Sequence, residues 1–535
     1  MKSILILGGG VMQGPAIRIA REKGYTVHVA DGNPGAIHAK SADTFHHIDL
    51  KDKEALAKAA ARIDGLAGVF TAGTDFSASV AWVANSLGLP GIPYDVALDA
   101  SDKARMRARL AQAGVPVPAF AYGSISDDPV ALADRVAPLP LVVKPVDNMG
   151  ARGCRLARSE PELREAWSDA VTNSRSGRAI IEAYLDGPEF SIDAVVHEGR
   201  IILRGIADRI ITFRPFFVEM GHTMPTAYGS DIVDEVVSVF KAGVEALGIR
   251  TGAAKGDIKY TRQGAFVGEI AARLSGGYMS GWTYPYSSGV EVTAEAMDIA
   301  CGAVSGFDDP AIDHICAERA WISIPGRVAA VVGLDEAGRE DHVRDLFPRA
   351  ASGDRVVFPC NNVEKCGNAI AVSSNRLDAE SAAESAARSV LLRLAPGDAA
   401  TEAFLRGVGR IVGPDGSTWP PAAYQGLSAM TLAEVASMPA MLRSNASADG
   451  SDGADSVSIS IAPLRDVDIE QAVDWQGRTL RQTIDAVTML TGARLGLEAD
   501  IVLGSDFWNA VIAGGYQAGA WIVDTARARF EGTLT

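Results

Sequence analysis

The chain has 535 residues, 47% of them hydrophobic and 22% charged, which is the composition of a globular protein too long for a single core. Its formal net charge of −16 argues against general affinity for nucleic acid or anionic membranes, although a local basic site could still bind phosphate. No apolar run reaches transmembrane length and the N-terminus enters a strand directly, so we expect a cytoplasmic protein. The five scattered cysteines form no disulfide or zinc pattern, and we interpret them as structural or incidental thiols.

The first hundred residues alternate apolar strands with helices. Residues 3–7 are predicted as a buried strand, residues 15–23 as a helix, residues 25–30 as a second strand and residues 68–71 as a third. This alternation favours a doubly wound sheet. Glycines 8–10 and 14 superficially fit a dinucleotide fingerprint, but the spacing is G-x-G-x-x-x-G, and either a bound ligand or a tight strand-to-helix turn would need them.

Two lysines and a glycine-containing loop come next. Lys103 lies in the first turn of a predicted helix, residues 99–113, which we expect to be capped around Ser101, and the lysine could simply be solvated. Lys144 interrupts an apolar strand, residues 138–146, where a charge needs an anionic partner. The loop 147–153, before a second strand at 154–157, can either fold over phosphates or form a tight hairpin without a ligand.

Residues 179–196 contain two strands separated by polar residues. Glu182, Tyr184 and Leu185 end the first strand, and Glu189 precedes the second, which contains Asp193. Backbone groups at a strand end can pair with an adenine edge, and a nearby carboxylate can hold ribose hydroxyls. Taken alone, Glu189 is more typical of a surface acid.

The stretch 251–277 predicts a β-hairpin that turns at residues 262–264 and brings Asp257 directly opposite Glu269. Facing carboxylates repel unless a cation lies between them, and magnesium carrying nucleotide phosphates is the obvious candidate. Arg273 follows closely enough to meet a transferring phosphoryl group. The alternative is an exposed hairpin with two solvated acids. The opposite face is expected to be core and consists of Ile258, Tyr260, Phe266 and Ile270.

Taken in this order, the two lysines, the NMGARG loop, the segment EAYLDGPEFSIDAVV and Asp257 with GEIAARLSGG resemble the ATP-grasp superfamily over residues 1–395. The chain looks most like its carboxylate–amine ligases, the L-amino acid ligase-like branch, because RPFFVEMGHTMPT resembles their substrate segment and residues 326–394 their C-terminal subdomain. The resemblance implies an α/β fold with a doubly wound, Rossmann-like domain (1–97), an ATP-grasp α+β domain (98–327), a small C-terminal α/β subdomain (328–395) and a partly helical tail (396–535).

The resemblance also implies an ATP-dependent ligase that uses ATP and Mg²⁺. The residues that it implies for ATP are Lys103, Lys144, Met149, Gly150, Ala151, Arg152, Gly153, Glu182, Tyr184, Leu185 and Glu189. The lysines would contact the phosphates under the glycine loop, Glu182 and the backbone near Leu185 would take adenine, and Glu189 the ribose. Those implied for the substrate are Glu219, His222, Arg273, Ser275, Gly276 and Gly277.

For the chemistry, the resemblance implies Asp257 and Glu269 as magnesium ligands and Arg273 with Lys144 as catalytic residues. The expected reaction activates an amino acid-like carboxylate as an acyl phosphate, which an amine then attacks to form an amide, releasing ADP and phosphate. We expect a mobile lid that excludes water, within residues 148–153 and 207–230.

One departure from the family pattern bears on the metal. The motif E-x-N-x-R reads Glu269-Ile-Ala271-Ala-Arg273 here, so the asparagine that would help to hold a second magnesium is absent. Either water or another ligand replaces it, or the enzyme is impaired. We favour an active ligase, with a bicarbonate-using carboxylase or carbamoyl phosphate synthase-like enzyme, a nucleotide-binding regulatory protein and a nicotinamide-dependent oxidoreductase as alternatives.

The tail after residue 395 has no counterpart in the resemblance. Residues 414–424 are rich in Gly and Pro, residues 444–456 resemble a polar linker, and residues 469–490 and 507–528 have helical spacing. The aromatic residues of these stretches are more typical of core than of a pocket: Trp475, Trp508, Tyr516 and Trp521. The tail either caps the active site or forms an oligomer interface. We expect small-molecule carboxylate and amine partners, no nucleic acid or membrane, and a homodimer.

Overall fold

A computed structural model of the chain describes residues 2–425, 457–464 and 471–534, and the backbone of residues 441–442. It divides into two compact units. The first comprises Met1–Glu318 and Ile370–Glu380, and the second Arg319–Ala369 and Ser381–Thr535. Among the residues that the structure describes, no helix is both long and apolar enough to cross a membrane.

The first unit begins with a four-stranded parallel sheet in which the first strand in sequence lies between the second and the fourth. Its strands are Ser3–Leu7, Thr26–Asp31, Thr44–His47 and Leu66–Phe70, and its helices are Gly14–Glu22, Lys53–Ala60, Ser77–Ser86 and Tyr94–Ser101. Alternate residues of the first strand enter different cores, Ile4 and Ile6 on one face and Leu5 and Leu7 on the other. The doubly wound sheet is therefore confirmed.

Two details of this domain differ from the sequence predictions. The edge strand Thr44–His47 was not predicted, because its residues are only partly buried and do not form an apolar run. The helix with Lys103 begins at that residue, as Lys103–Gln112, and is separate from the preceding helix. Its cap is Asp102, whose carboxylate accepts the backbone N–H groups of Ala104 and Arg105, so the prediction of a cap at Ser101 was wrong.

Glycines 8 and 14 serve the strand-to-helix turn. Gly8 has a φ of 106°, a backbone conformation that side chains disfavour. The side chain of Gln13 fills this turn and hydrogen-bonds both backbone groups of Ala72, which fixes the first strand's exit against the fourth. The turn therefore gives these glycines a structural role without a ligand.

Two antiparallel sheets make up the rest of the first unit. The small sheet has the order Phe120–Ser124, Arg178–Ala183, Leu141–Pro145, Arg155–Ala157, and one face packs on the helices Pro129–Ala133 and Glu160–Asn173. The large sheet has the order Gly264–Ala271, Gly252–Thr261, Glu189–His197, Arg200–Thr212, Val218–Met224, and continues into residues 315–318 and 370–373. The remaining helices of this unit are Ser230–Leu247, Met279–Thr283 (a π-helix), Tyr284–Ser288 and Val292–Ala300.

The hairpin at the edge of the large sheet pairs Asp257 with Glu269, as predicted, but its turn and its register differ from the predicted ones. The turn contains two residues, since Thr261 already pairs with Gly264, and a β-bulge at Gly268 then shifts the register by one residue. Because of this bulge Ala265 and Val267 face the core, and Phe266 faces the other way. The prediction of Phe266 as core was therefore wrong, whereas Ile258 and Ile270 are fully buried.

The second unit combines short strands with helices. Gly326–Val332 pairs with Arg355–Val356 and with Leu391–Leu394, and Ile411–Val412 pairs with Thr418–Trp419. A further sheet has the order Met441–Leu442, Ile501–Leu503, Ile459–Ile461, Arg494–Leu495. The remaining strand of this unit is Val343–Pro348, and its helices are Leu334–Ala337, Ala399–Leu405, Leu480–Thr491 and Ser505–Phe530. The strands Ile315–Trp321 and Gly367–Ser373 and the helix Arg376–Ser389 continue from one unit into the other.

The tail aromatics are core residues, as predicted. Trp508, Tyr516 and Trp521 are buried, and Trp475 packs against the same cluster. The long helix changes direction at Gly514 and Gly515, where its backbone leaves helical geometry. The predicted linker 444–456 lies outside the described residues.

Gly187 provides a test of the link between the two antiparallel sheets. It has a φ of 140°, and a Cβ there would lie 1.9 Å from the carbonyl oxygen of Tyr260. We expect Gly187→Ala to destabilise the chain by about 1–3 kcal/mol, because both the backbone strain and the clash must be relieved. Thermal unfolding should show a lowered midpoint, whereas the control Gly306→Ala, which meets open space, should leave it unchanged. Equal midpoints for both variants would contradict this packing.

Candidate active site

One face of the large sheet carries charged side chains in matched rows, because alternate residues of a strand point to the same side. In one row Asp193, Lys255 and Ala271 are register partners. In the next row Ser191, Asp257 and Glu269 are partners. The opposite face is apolar and packs on the helix Ser230–Leu247. The charged face is therefore the candidate active site.

Glu269 is surrounded by basic groups from several elements. Its carboxylate lies 3.6 Å from the ammonium of Lys103, which also donates a hydrogen bond of 2.9 Å to the Asn148 carbonyl. Burial alone would raise the pKa of Glu269, but Lys103, Lys255 and Arg273 together hold that pKa well below its ordinary value. Glu269 is thus kept in its anionic form, which can bind a cation.

Lys144 has the anionic partner that its position in an apolar strand required. Its ammonium lies 2.7 Å from one carboxylate oxygen of Glu182, and the guanidinium of Arg107 lies 2.7 Å from the other. Burial would raise the pKa of Glu182, but the two cations outweigh it and lower that pKa to about 2. Burial acts to lower the pKa of Lys144, but the attraction of Glu182 outweighs burial, so the pKa of Lys144 is raised above its ordinary value.

Arg107 was missed by the sequence reasoning. It lies in the helix Lys103–Gln112 and is fully buried, and it also donates a hydrogen bond of 2.5 Å to the carbonyl of Gly268, the bulge residue. One side chain therefore connects the strand end at Glu182 to the bulge that aligns Asp257 with Glu269. The helix contains several arginines, and nothing in its sequence distinguishes Arg107 from the others.

Arg209 was also missed, and it joins three of the predicted site residues. Its guanidinium lies 2.8 Å from Glu219 and 3.0 Å from Asp257, and it also pairs with Glu189. Burial acts to lower the pKa of Arg209, but the three carboxylates raise it well above its ordinary value. Glu189 is consequently not a solvated surface acid, although its predicted ribose role remains a prediction.

The residues after the hairpin are fixed by a buried acid. The backbone N–H of Ser275 donates a 2.9 Å hydrogen bond to Asp193, and the Ser275 hydroxyl bonds the other carboxylate oxygen. Arg273 is buried and donates to the Leu274 carbonyl at 2.9 Å. Gly277 has a φ of 62°, and Gly276 lies against the backbone of Gly73. This loop is therefore held against the charged face and beside the first domain.

The two predicted substrate residues of the strand Val218–Met224 have different surroundings. Glu219 belongs to the Arg209 cluster. His222 is the register partner of Arg209 but is fully buried, with its Nε2 atom 2.9 Å from the Thr283 hydroxyl and its Nδ1 atom 3.3 Å from Glu318. Of the two, Glu219 is the better placed to meet a substrate at the charged face.

The glycine loop lies between the strands Leu141–Pro145 and Arg155–Ala157. Gly150, Ala151 and Gly153 all have positive φ, and Arg152 donates a hydrogen bond of 3.1 Å to the Met149 carbonyl. Turn conformations of this kind can present backbone N–H groups to an anion. After the strand Arg178–Ala183, Tyr184 donates to Asp186 at 3.2 Å, and Leu185 follows. The predicted ATP-binding roles of these residues stay predictions.

Asp257 and Glu269 suit a magnesium ion. Magnesium in nucleotide sites usually takes one or two carboxylates and completes its shell with phosphate and water. Asp257 Oδ1 lies 3.0 Å from the guanidinium of Arg209, so a metal ion at this carboxylate would exchange with that cation. Within the described part of the chain, no cluster of three or more His, Cys, Asp or Glu residues could hold a metal ion. The donor set therefore fits a metal that binds together with a nucleotide.

Comparison with known proteins found two domain families that match parts of this chain. Residues 137–281 match the ATP-grasp domain, and residues 320–395 match the L-amino acid ligase C-terminal domain 2. Carnosine synthase 1 of Mus musculus is 28% identical over 330 residues, which are 56% of this chain and 40% of that protein. An uncharacterized protein of Sinorhizobium fredii, y4rH, is 25% identical over 335 residues, which are 62% of this chain and 69% of that protein.

Among solved structures, the L-amino acid ligase from Bacillus licheniformis aligns with a TM-score of 0.65 at 21% identity, over 74% of this chain and 99% of that one. The predicted α/β fold class is thus confirmed, and residues 137–281 match the ATP-grasp domain. Residues 320–395 match a domain of the L-amino acid ligases, which confirms the resemblance predicted from the sequence. The chain spans only 40% of the length of the carnosine synthase.

The buried pair of Arg107 and Glu182 gives a stability prediction. We expect Arg107→Met to cost about 3–5 kcal/mol, because it removes one partner of a buried ion pair and the bond to Gly268. Thermal unfolding should reveal a clearly lower midpoint. The control Arg105→Met removes a half-exposed arginine of the same helix, which pairs with Asp99 of the preceding helix, and should lower the midpoint much less. An unchanged unfolding midpoint for Arg107→Met would show that the ion pair of Arg107 and Glu182 does not stabilise the fold.

The lowered pKa of Glu182 predicts a pH dependence. Its pKa falls from 4.5 to about 2 on folding, so its contribution to stability is present above pH 4.5 and is lost as the pH falls towards 2. We expect Glu182→Gln to be much less stable than the parent at neutral pH, and the difference to shrink across that acid window. Unfolding midpoints measured at several pH values check this. The control Glu160→Gln, on an exposed helix turn, should show a small difference throughout.

Proposed function

We propose that this protein is an ATP-dependent carboxylate–amine ligase that activates an amino acid-like carboxylate as an acyl phosphate and joins it to an amine. The observation that carries the proposal is the alignment of Asp257 and Glu269 on a face surrounded by fixed cations. This face belongs to a chain with an ATP-grasp domain and an L-amino acid ligase C-terminal domain. The name of the carnosine synthase relative, an amide-forming enzyme, is consistent with such chemistry.

The chemistry follows from charge. A carboxylate and a nucleotide phosphate repel each other, so the site must offset negative charge before they can react. Lys103 donates a hydrogen bond to Asn148 in the glycine loop, and Lys144 lies on the strand before that loop, so both can neutralise phosphate oxygens. Bound magnesium supplies further neutralisation of the phosphates, and Asp257 and Glu269 would hold it. Arg273, at the end of the hairpin, can stabilise the acyl phosphate or the departing phosphoryl group.

Glu219 is our candidate for recognising the amino group of the substrate, because a carboxylate attracts an ammonium. In the structure this carboxylate is paired with Arg209. Substrate binding would therefore exchange one cation for another at Glu219 and free Arg209 for an anionic partner, such as the substrate carboxylate or a phosphate oxygen. An acyl phosphate hydrolyses easily, so closure of residues 148–153 over the site would protect it.

Product analysis tests the proposed function. The purified chain is incubated with magnesium and ATP and with pools of amino acids, simple carboxylic acids or bicarbonate, before amine acceptors are added. We expect ADP and phosphate only with amino acid pools, and a new amide once the right amine is present. Turnover with bicarbonate alone would favour the carboxylase-like alternative. AMP and pyrophosphate, or ATP binding without turnover in any pool, would contradict the proposal.

Glu269→Gln is the decisive variant for the metal role. It keeps the size of the side chain but removes the anion facing Lys103, so we expect ADP formation to fall by roughly 100-fold or more. The control Glu160→Gln alters an exposed acid far from the charged face and should retain full activity. Thermal unfolding of both variants separates lost chemistry from lost folding. Full activity of a folded Glu269→Gln protein would remove this glutamate from the mechanism.

A further inference from the structure

Lys255 is a cation in the middle of the charged face. The strand register sets it directly between Asp193 on one neighbouring strand and Ala271 on the other. Its ammonium contacts the carboxylate of Asp257, and its side chain is only 12% exposed. Its charge also acts on the carboxylates of Asp193 and Glu269. The ammonium of Lys255 therefore contacts one carboxylate, that of Asp257, and stabilises the charge of two others beside the predicted metal ligands.

Phosphoryl-transfer sites use either one or two divalent ions, which lie about 3.5–4 Å apart when there are two. A second ion needs oxygen ligands beyond those that hold the first. In this row Ala271 supplies only a methyl group. Asp193 lies in the same row, but it is fully buried and both of its oxygens accept hydrogen bonds from Ser275. The predicted metal ligands are Asp257 and Glu269, and both oxygens of Asp257 are paired with cations, Oδ1 with Arg209 and Oδ2 with Lys255.

The position of Lys255 opposes a second ion in another way. An ammonium that contacts Asp257 occupies one side of that carboxylate and repels a dication placed beside it. A second magnesium would have to displace a lysine whose side chain is largely buried. The lysine already supplies positive charge at this point, without the loss of a hydration shell that magnesium binding requires.

We propose that the ammonium of Lys255 takes the place of a second divalent ion, so that the site binds one magnesium per chain together with ATP. This inference rests on the proposed function, since it concerns the same nucleotide site. Lys255 is then a fixed cation for the phosphates, and the missing ligand at Ala271 is compensated by a side chain two residues before Asp257 on the opposite strand. The substitution at position 271 is therefore matched to Lys255 and does not indicate an inactive protein.

The test counts metal ions without relying on turnover. Manganese replaces magnesium, a non-hydrolysable ATP analogue replaces ATP, and binding to the full chain is measured by equilibrium dialysis and electron paramagnetic resonance. We expect one manganese per chain and the spectrum of an isolated ion. Two ions with a spin-coupled spectrum would overturn the inference while leaving the proposed ligase intact. No manganese or analogue binding would overturn the inference and the proposed function together.

Variants then assign the effect to Lys255. We expect the double variant Lys255→Met with Ala271→Asn to bind two coupled manganese ions, because it removes the cation and adds an oxygen ligand. Ala271→Asn alone should still bind one ion, since the ammonium remains. The control Lys259→Met removes a lysine of the same strand that pairs with Glu189, and should also bind one. A folded double variant that binds only one ion would show that Lys255 does not exclude the second, which overturns its assigned role.

Discussion

Carboxylates that lie close together and are partly shielded from water are costly unless cations reach them, and this constraint shapes the first unit. Asp257 and Glu269 face each other across a hairpin, and Glu182 is buried one sheet away. Each has basic partners from other elements, and the two glutamates have lowered pKa values as a result. Glu182 and Glu269 are thereby kept ionised, which is the state that binding of a metal or a substrate cation requires.

The bulge at Gly268 is the local device on which this arrangement depends. Without the extra residue the register of the two-residue turn would set Asp257 opposite Gly268, and Glu269 would point to the apolar side. Arg107 holds the bulge from behind through the Gly268 carbonyl and neutralises Glu182 with the same guanidinium. The phosphate side and the metal side of the site are therefore connected through one buried side chain.

Basic side chains of the chain itself are paired with the acids that ligands are proposed to use. Arg209 bridges Glu189, Glu219 and Asp257, and Lys255 contacts Asp257. Binding of nucleotide, metal or substrate would then be an exchange of ionic partners, in which each carboxylate always remains paired with a cation. Such exchange costs less than burying new charge, and it couples the occupancy of neighbouring subsites through a shared arginine.

Local periodicity and turn residues were enough to predict the alternating first domain and a hairpin that pairs Asp257 with Glu269. The two-residue turn and the bulge at Gly268, which together produce this pairing, were not predicted. Which cations pair with the acids of the site was visible only in the tertiary structure. Arg107, Arg209 and Lys255 come from a helix and two strands whose sequences are equally compatible with solvated charges. Ionic partners distant in sequence leave no periodic signal, since their pairing is set by how the sheets pack, and a one-residue bulge changes which side chains face the site.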